Sequence, residues 1–84
     1  MNILFTDKAW GDYQYWVATD RAMLKRINRL IEDARRTPFT GIGKPEALKH
    51  QLAGYWSRRI TDEHRLVYLV QDEEIVILQA RYHY

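Results

Sequence analysis

Apolar residues recur every three or four positions through the first 36 residues, then crowd or alternate from residue 55 onward. The period therefore changes from helical to strand-like across residues 37–50. Asn2-Ile3-Leu4-Phe5 is a short apolar run of strand type, and Thr6 or Asp7 can cap a helix after it. Trp10, Tyr13, Trp16 and Val17 make one stripe at helical spacing, so Trp10, Tyr13 and Trp16 are expected in the core. Thr19-Asp20 is a second capping signal. Met23, Ile27, Leu30, Ile31 and Ala34 follow it at i, i+4, i+7, i+8 and i+11, the strongest helical pattern in the chain. Thr37-Pro38 ends that helix, because a residue before proline avoids the α region.

Pro38, Gly41, Gly43 and Pro45 make residues 37–50 a loop. Tyr55–Ile60 is β-prone, Thr61-Asp62-Glu63 a turn, Arg65–Val70 a strand, Asp72-Glu73 a turn and 74–81 the last strand. Consecutive strands joined by short turns form an antiparallel meander. The expected architecture is a single α+β domain over residues 1–84. Two N-terminal helices pack on one face of a mostly antiparallel, roughly five-stranded sheet.

Composition narrows the chemistry. With no cysteine there is neither a disulfide framework nor a thiolate nucleophile or metal site. No apolar stretch approaches the ~20 residues of a membrane span. The N-terminal apolar run is too short for a signal sequence and meets Asp7, so the expected compartment is the cytoplasm. The net charge of +2 arises in residues 1–43, where Lys8, Arg21, Lys25, Arg26, Arg29, Arg35 and Arg36 outnumber the acids. Such a balance suits a polyanionic partner.

Gly41-Ile42-Gly43-Lys44 is followed by proline rather than Ser or Thr and lacks the earlier glycine of a phosphate loop, which excludes that nucleotide-binding motif. His50, His64 and His83 are not spaced as metal ligands, and His50 and His64 lie beside turns, where structural or surface roles are expected. His83 differs. It stands between two tyrosines beyond the apolar run Ile75–Leu78, which should carry the terminus into the body of the fold. Histidine is the side chain best suited to proton transfer near neutrality. Arg65, with Arg59 or Arg58, can form a positive surface on the sheet face away from the helices; plain solvent exposure explains these charges equally well.

Several separate segments together resemble the RelE/YoeB family of bacterial toxins, the ribosome-dependent mRNA interferases, and within it the YoeB subgroup. They are Arg35-Arg36-Thr37-Pro38-Phe39, Gly43-Lys44-Pro45-Glu46, Leu48-Lys49-His50, Tyr55–Thr61, Glu63–Tyr68 and Arg81-Tyr82-His83-Tyr84. The resemblance implies a fold like a small microbial ribonuclease. It implies Glu46 as general base, His83 as general acid and Arg65 as the phosphate-stabilising cation, with Lys49, Arg59 and Tyr84 holding substrate. It further implies the toxin of a type II toxin–antitoxin system that cuts mRNA in the A site of the 70S ribosome. The implied partners are a YefM-like antitoxin with a flexible acidic tail, operator DNA only through that antitoxin, and a second copy of the chain in a homodimer. The resemblance implies no metal, no cofactor and no membrane. A non-catalytic translation inhibitor and a purely regulatory protein are the competing readings.

The acid–base reading makes a geometric demand. A two-residue turn at Asp72-Glu73 pairs 71 with 74 and, in a regular ladder, turns His83 away from Arg65. An odd-length connection or a β-bulge before His83 is therefore expected.

Overall fold

The computed structural model describes residues 1–84. Strand β1 (Asn2–Phe5) leads into helix α1 (Asp7–Thr19), whose first turn is capped by the Thr6 hydroxyl accepting from the Ala9 amide at 3.2 Å. Asp20 caps helix α2 (Arg21–Arg36), accepting from the Met23 amide at 3.1 Å. Then come β2 (Glu46–Ala47), a single 3-10 turn (His50–Leu52), β3 (Trp56–Arg59), β4 (Arg65–Gln71) and β5 (Glu74–Gln79). One five-stranded sheet runs in the order β1-β5-β4-β3-β2, with β1 parallel to β5 and every other pair antiparallel. The meander and the α+β class are as the pattern implied. Glu46–Ala47, expected within a loop, is instead a two-residue edge strand on β3.

The helices cover one sheet face. Ile27, Leu30, Ile31 and Ala34 of α2 meet Leu66, Tyr68, Ile75 and Ile77 in a buried core, where each fully buried aliphatic side chain contributes about 1.5–3 kcal/mol. In α1 the inward line is Ala9, Tyr13 and Trp16. Trp10 is 52 % exposed and lies outside the core expected of it, and Val17 of the same stripe is 50 % exposed. Each sits one residue past the inward line, a rotation of about 100° on a helix. Trp10 instead stacks on Tyr13 and meets the edge of Phe5 at the surface.

Arg58 is the other departure. It has 0 % exposure and lies on the helix side of the sheet, paired with core residue Leu66. Its guanidinium donates to Asp33 Oδ2 at 2.6 Å and to the carbonyls of Thr37, Thr40 and Ile42, while its Nε donates to the Tyr68 hydroxyl. It is therefore no part of an open positive surface. It is the clamp that shapes the loop from Thr37 to Ile42.

Candidate active site

Antiparallel partners share a face, so the register identifies what lies opposite the helices. Glu46 pairs with Ser57, Ser57 with Val67, and Val67 with Gln79. These four make one row across β2, β3, β4 and β5 on the helix-free face. The next row along β3 and β4 holds Arg59 and Arg65, directly opposite one another. Two strand spacings and two residue rises separate the Cα atoms of Glu46 and Arg65 by roughly 12 Å.

The β4–β5 connection is the two-residue turn Asp72-Glu73, with Gln71 opposite Glu74. Register then breaks: Tyr68 pairs with Ile77 but Val67 with Gln79, leaving Leu78 as a bulge. The expected bulge is present, and the odd-length connection is not. Past it, Gln79 lies on the open face and Ala80 is buried in the core. The strand ends at Gln79, so His83 lies on an exposed tail beyond β5 rather than in a strand reaching residue 81.

That tail is nonetheless tethered. Trp16 Nε1 donates to the Ala80 carbonyl at 2.8 Å, and the Ala80 amide donates to Asp12 Oδ2 at 3.0 Å. The Tyr82 amide donates to His64 Nδ1 at 2.7 Å, and the Arg65 amide to the Tyr82 carbonyl at 3.0 Å. Arg81 lies over the Tyr15 ring, 3.5 Å from its centroid. The Tyr84 hydroxyl then reaches Glu46 Oε1 at 3.4 Å, so the tail crosses the open face from β5 to β2. The His83 ring lies beside Tyr84, centroids 5.6 Å apart. Glu46, Lys49 and Tyr84 line one cleft of about 340 Å³ together with Ala47, Leu48, His50 and Leu52.

Arg65 is 8 % exposed. Its guanidinium donates to the carbonyls of Thr61, Asp62 and His64 at 2.6, 2.9 and 3.1 Å and forms no ion pair with a carboxylate. The guanidinium is thus held by carbonyl dipoles alone, and no carboxylate neutralises its charge. Arg59 is exposed across from it, its amide bonded to the Gly43 carbonyl and its carbonyl to the Arg26 guanidinium. Lys49 is exposed between β2 and the 3-10 turn. His64 has the structural place expected of it, whereas Asp12 and Gln79 emerge only from the fold.

The loop before Glu46 owes its shape to the far side of the sheet. The Arg58 guanidinium beside Asp33, helped by the Ile42 amide, holds that carboxyl below its ordinary pKa. Burial pushes the Tyr68 phenol up, against the opposing pull of Arg58, and its hydroxyl donates to the Pro38 carbonyl at 2.6 Å. Gly41 adopts φ +115°, and a Cβ there would collide with Asp33 Oδ2.

Residues 5–84 match the YoeB-like toxin of bacterial type II toxin–antitoxin systems. A toxin YoeB of Streptomyces coelicolor is 61 % identical over 84 residues, all of both chains. Among solved structures, a YoeB/ParE toxin from Agrobacterium tumefaciens superposes with a TM-score of 0.98 at 51 % identity, covering all of both chains. A YoeB of Staphylococcus aureus, solved as a dimer, superposes at 0.93 with 49 % identity, and one solved in a YoeB–YefM complex at 0.92 with 48 %; each comparison covers all of this chain and 98 % of the other.

Proposed function

This chain belongs to the YoeB-like toxins of bacterial type II toxin–antitoxin systems, and from that membership and the open-face geometry we propose that it is a ribosome-dependent endoribonuclease acting in the cytoplasm. The observation that carries the proposal is Arg65, a nearly buried guanidinium without a carboxylate partner, on the same sheet face as Glu46 and beneath a tethered tail bearing His83.

RNA supplies its own nucleophile. Glu46 takes the proton of the 2′-hydroxyl, and the O2′–P bond forms through a pentacoordinate phosphorane. Arg65 offsets the charge gathering on the non-bridging oxygens. The P–O5′ bond breaks, and the His83 imidazolium gives its proton to the departing O5′. The products are a 2′,3′-cyclic phosphate and a 5′-hydroxyl. Every proton is moved by the chain's own side chains, so the step uses no metal. Lys49, Arg59 and Tyr84 hold the substrate around the cleft that Glu46 also lines.

The 70S ribosome presents mRNA to this face in the A site. The partner that silences the toxin is a YefM-like antitoxin whose acidic segment meets the same cations; the complex of the Staphylococcus aureus relative supports that choice. Its dimer supports a homodimer here, for which the exposed Trp10 beside Phe5 and Tyr13 offers apolar surface.

The test is inducible expression of wild type, Glu46→Gln and His83→Gln with mapping of transcript 5′ ends. Wild type should arrest growth and leave in-frame 5′-hydroxyl ends. His83→Gln should retain ribosome binding and lose cleavage by about 10²-fold or more. Growth arrest with intact transcripts would replace the nuclease with a translation blocker, and undiminished toxicity of His83→Gln would remove the proposed acid.

A further inference from the structure

Gln79 is the one polar residue at the end of the apolar run Ile75–Leu78, and the bulge at Leu78 turns it onto the open face. Its side-chain nitrogen lies 2.9, 3.1 and 3.0 Å from the carbonyl oxygens of Arg81, Tyr82 and His83. Three carbonyl acceptors around one amide end require the NH2 group there, because an amide oxygen in its place would face only other acceptors. Tyr82, in the middle of this arc, has φ +64°, a conformation that a residue with a Cβ seldom adopts unless its surroundings hold it. The strained residue immediately precedes His83. The other grips on the tail main chain end earlier, Asp12 and Trp16 on Ala80 and His64 and the Arg65 amide on Tyr82, while beyond His83 the Tyr84 side chain reaches Glu46. Gln79 alone donates to the main chain of His83 itself.

We propose that Gln79 is the positioning residue of His83, folding the last four residues back so that the imidazole is held in one place beside Tyr84, whose hydroxyl reaches Glu46. This rests on the nuclease reading, in which His83 must meet the departing O5′ within hydrogen-bond reach. Gln79 touches neither substrate nor reacting atoms. Its contribution is the fixed placement of a group that does, and small misplacements of an acid are expensive in rate.

The experiment compares wild type with Gln79→Met, which keeps length and loses both donors, and Gln79→Glu, which keeps polarity and offers only acceptors. Single-turnover cleavage of mRNA on programmed 70S ribosomes, melting temperature and backbone amide relaxation by NMR are measured for each. Both variants should melt within a few degrees of wild type, because water can take over the tail carbonyls. Their kcat should fall about tenfold or more with KM within about twofold, and the amides of His83 and Tyr84 should gain fast motion. Wild-type kcat in Gln79→Met, or an unchanged tail, overturns the positioning role alone. A collapse of melting temperature in both variants makes Gln79 a structural residue and also overturns it. If wild type itself leaves ribosome-bound mRNA intact, the nuclease reading fails and the role falls with it.

Discussion

Arg58 carries a permanent charge and has no exposed surface, and the sequence around it leaves its direction undetermined. Trp56-Ser57-Arg58-Arg59-Ile60 does not alternate cleanly, so a period of two fits whether Arg58 or Arg59 faces inward. What settles the phase is distant in sequence: Asp33 on α2 and the carbonyls of Thr37, Thr40 and Ile42 satisfy the inward guanidinium. Removing either partner strands the other. The pH dependence follows from the Asp33 carboxyl. Its folded-state pKa lies below the unfolded value of about 3.9, so its stabilisation is complete above that value and fades as pH falls through the folded-state one. The stability difference between wild type and Asp33→Asn, read by urea unfolding, should be constant from about pH 7 to 5 and shrink below about pH 4. A difference that stays the same to about pH 2 would show that the ion pair is not its source.

At the scale of elements, legibility followed the strength of the repeating signal. Helix α2 is plain in the sequence because four inward residues recur over several turns, and β4 and β5 because apolar runs flank a two-residue turn. Strand β2 is two residues long, below what any period can register, and forms only because β3 supplies its partner. The bulge at Leu78 is invisible to local pattern. Its only signal lay outside the local pattern, in the assumption that Arg65 and His83 share a face, which the bulge satisfies as far as Gln79, where the strand ends. The segment from Thr37 to Glu46 has little hydrogen bonding of its own and depends on Arg58 and on left-handed turns at Gly41, at Gly43 and at Lys44, where φ is 53°. Gly41→Ala adds a Cβ into Asp33 Oδ2 at an unfavourable φ. It should cost about 1–3 kcal/mol in denaturant titrations. It should also lower cleavage by more than the unfolded fraction explains, since the loop delivers Glu46. Wild-type stability in Gly41→Ala would show that the loop has slack that this arrangement denies it.

Across the whole molecule the two sheet faces follow different rules. The helix side satisfies each of them: apolar residues packed to full burial, and the one buried charge paired and bonded. The open side breaks them. Arg59 stands directly opposite Arg65, and no carboxylate neutralises either one. Like charges facing each other across a strand pair are unfavourable. Local conflicts gathered on one face are what a binding site that trades stability for function produces, and the proposed reading places the RNA there. The sequence shows the charges, but only the register shows that they oppose each other; Glu46, Lys49 and Tyr84 are marked by resemblance alone, whereas His83 stands out already by its place between two tyrosines after an apolar run. Arg59→Gln tests the trade directly. Relieving the repulsion should leave the melting temperature unchanged or raise it by about 1–3 °C, while mRNA cleavage weakens and loses part of its salt dependence. The two effects must move in opposite directions in one variant, measured by thermal unfolding and by cleavage rates over a series of salt concentrations. A variant that both melts lower and cleaves normally would mean that Arg59 belongs to the scaffold, and that the open face holds its charges for some reason other than an RNA phosphate.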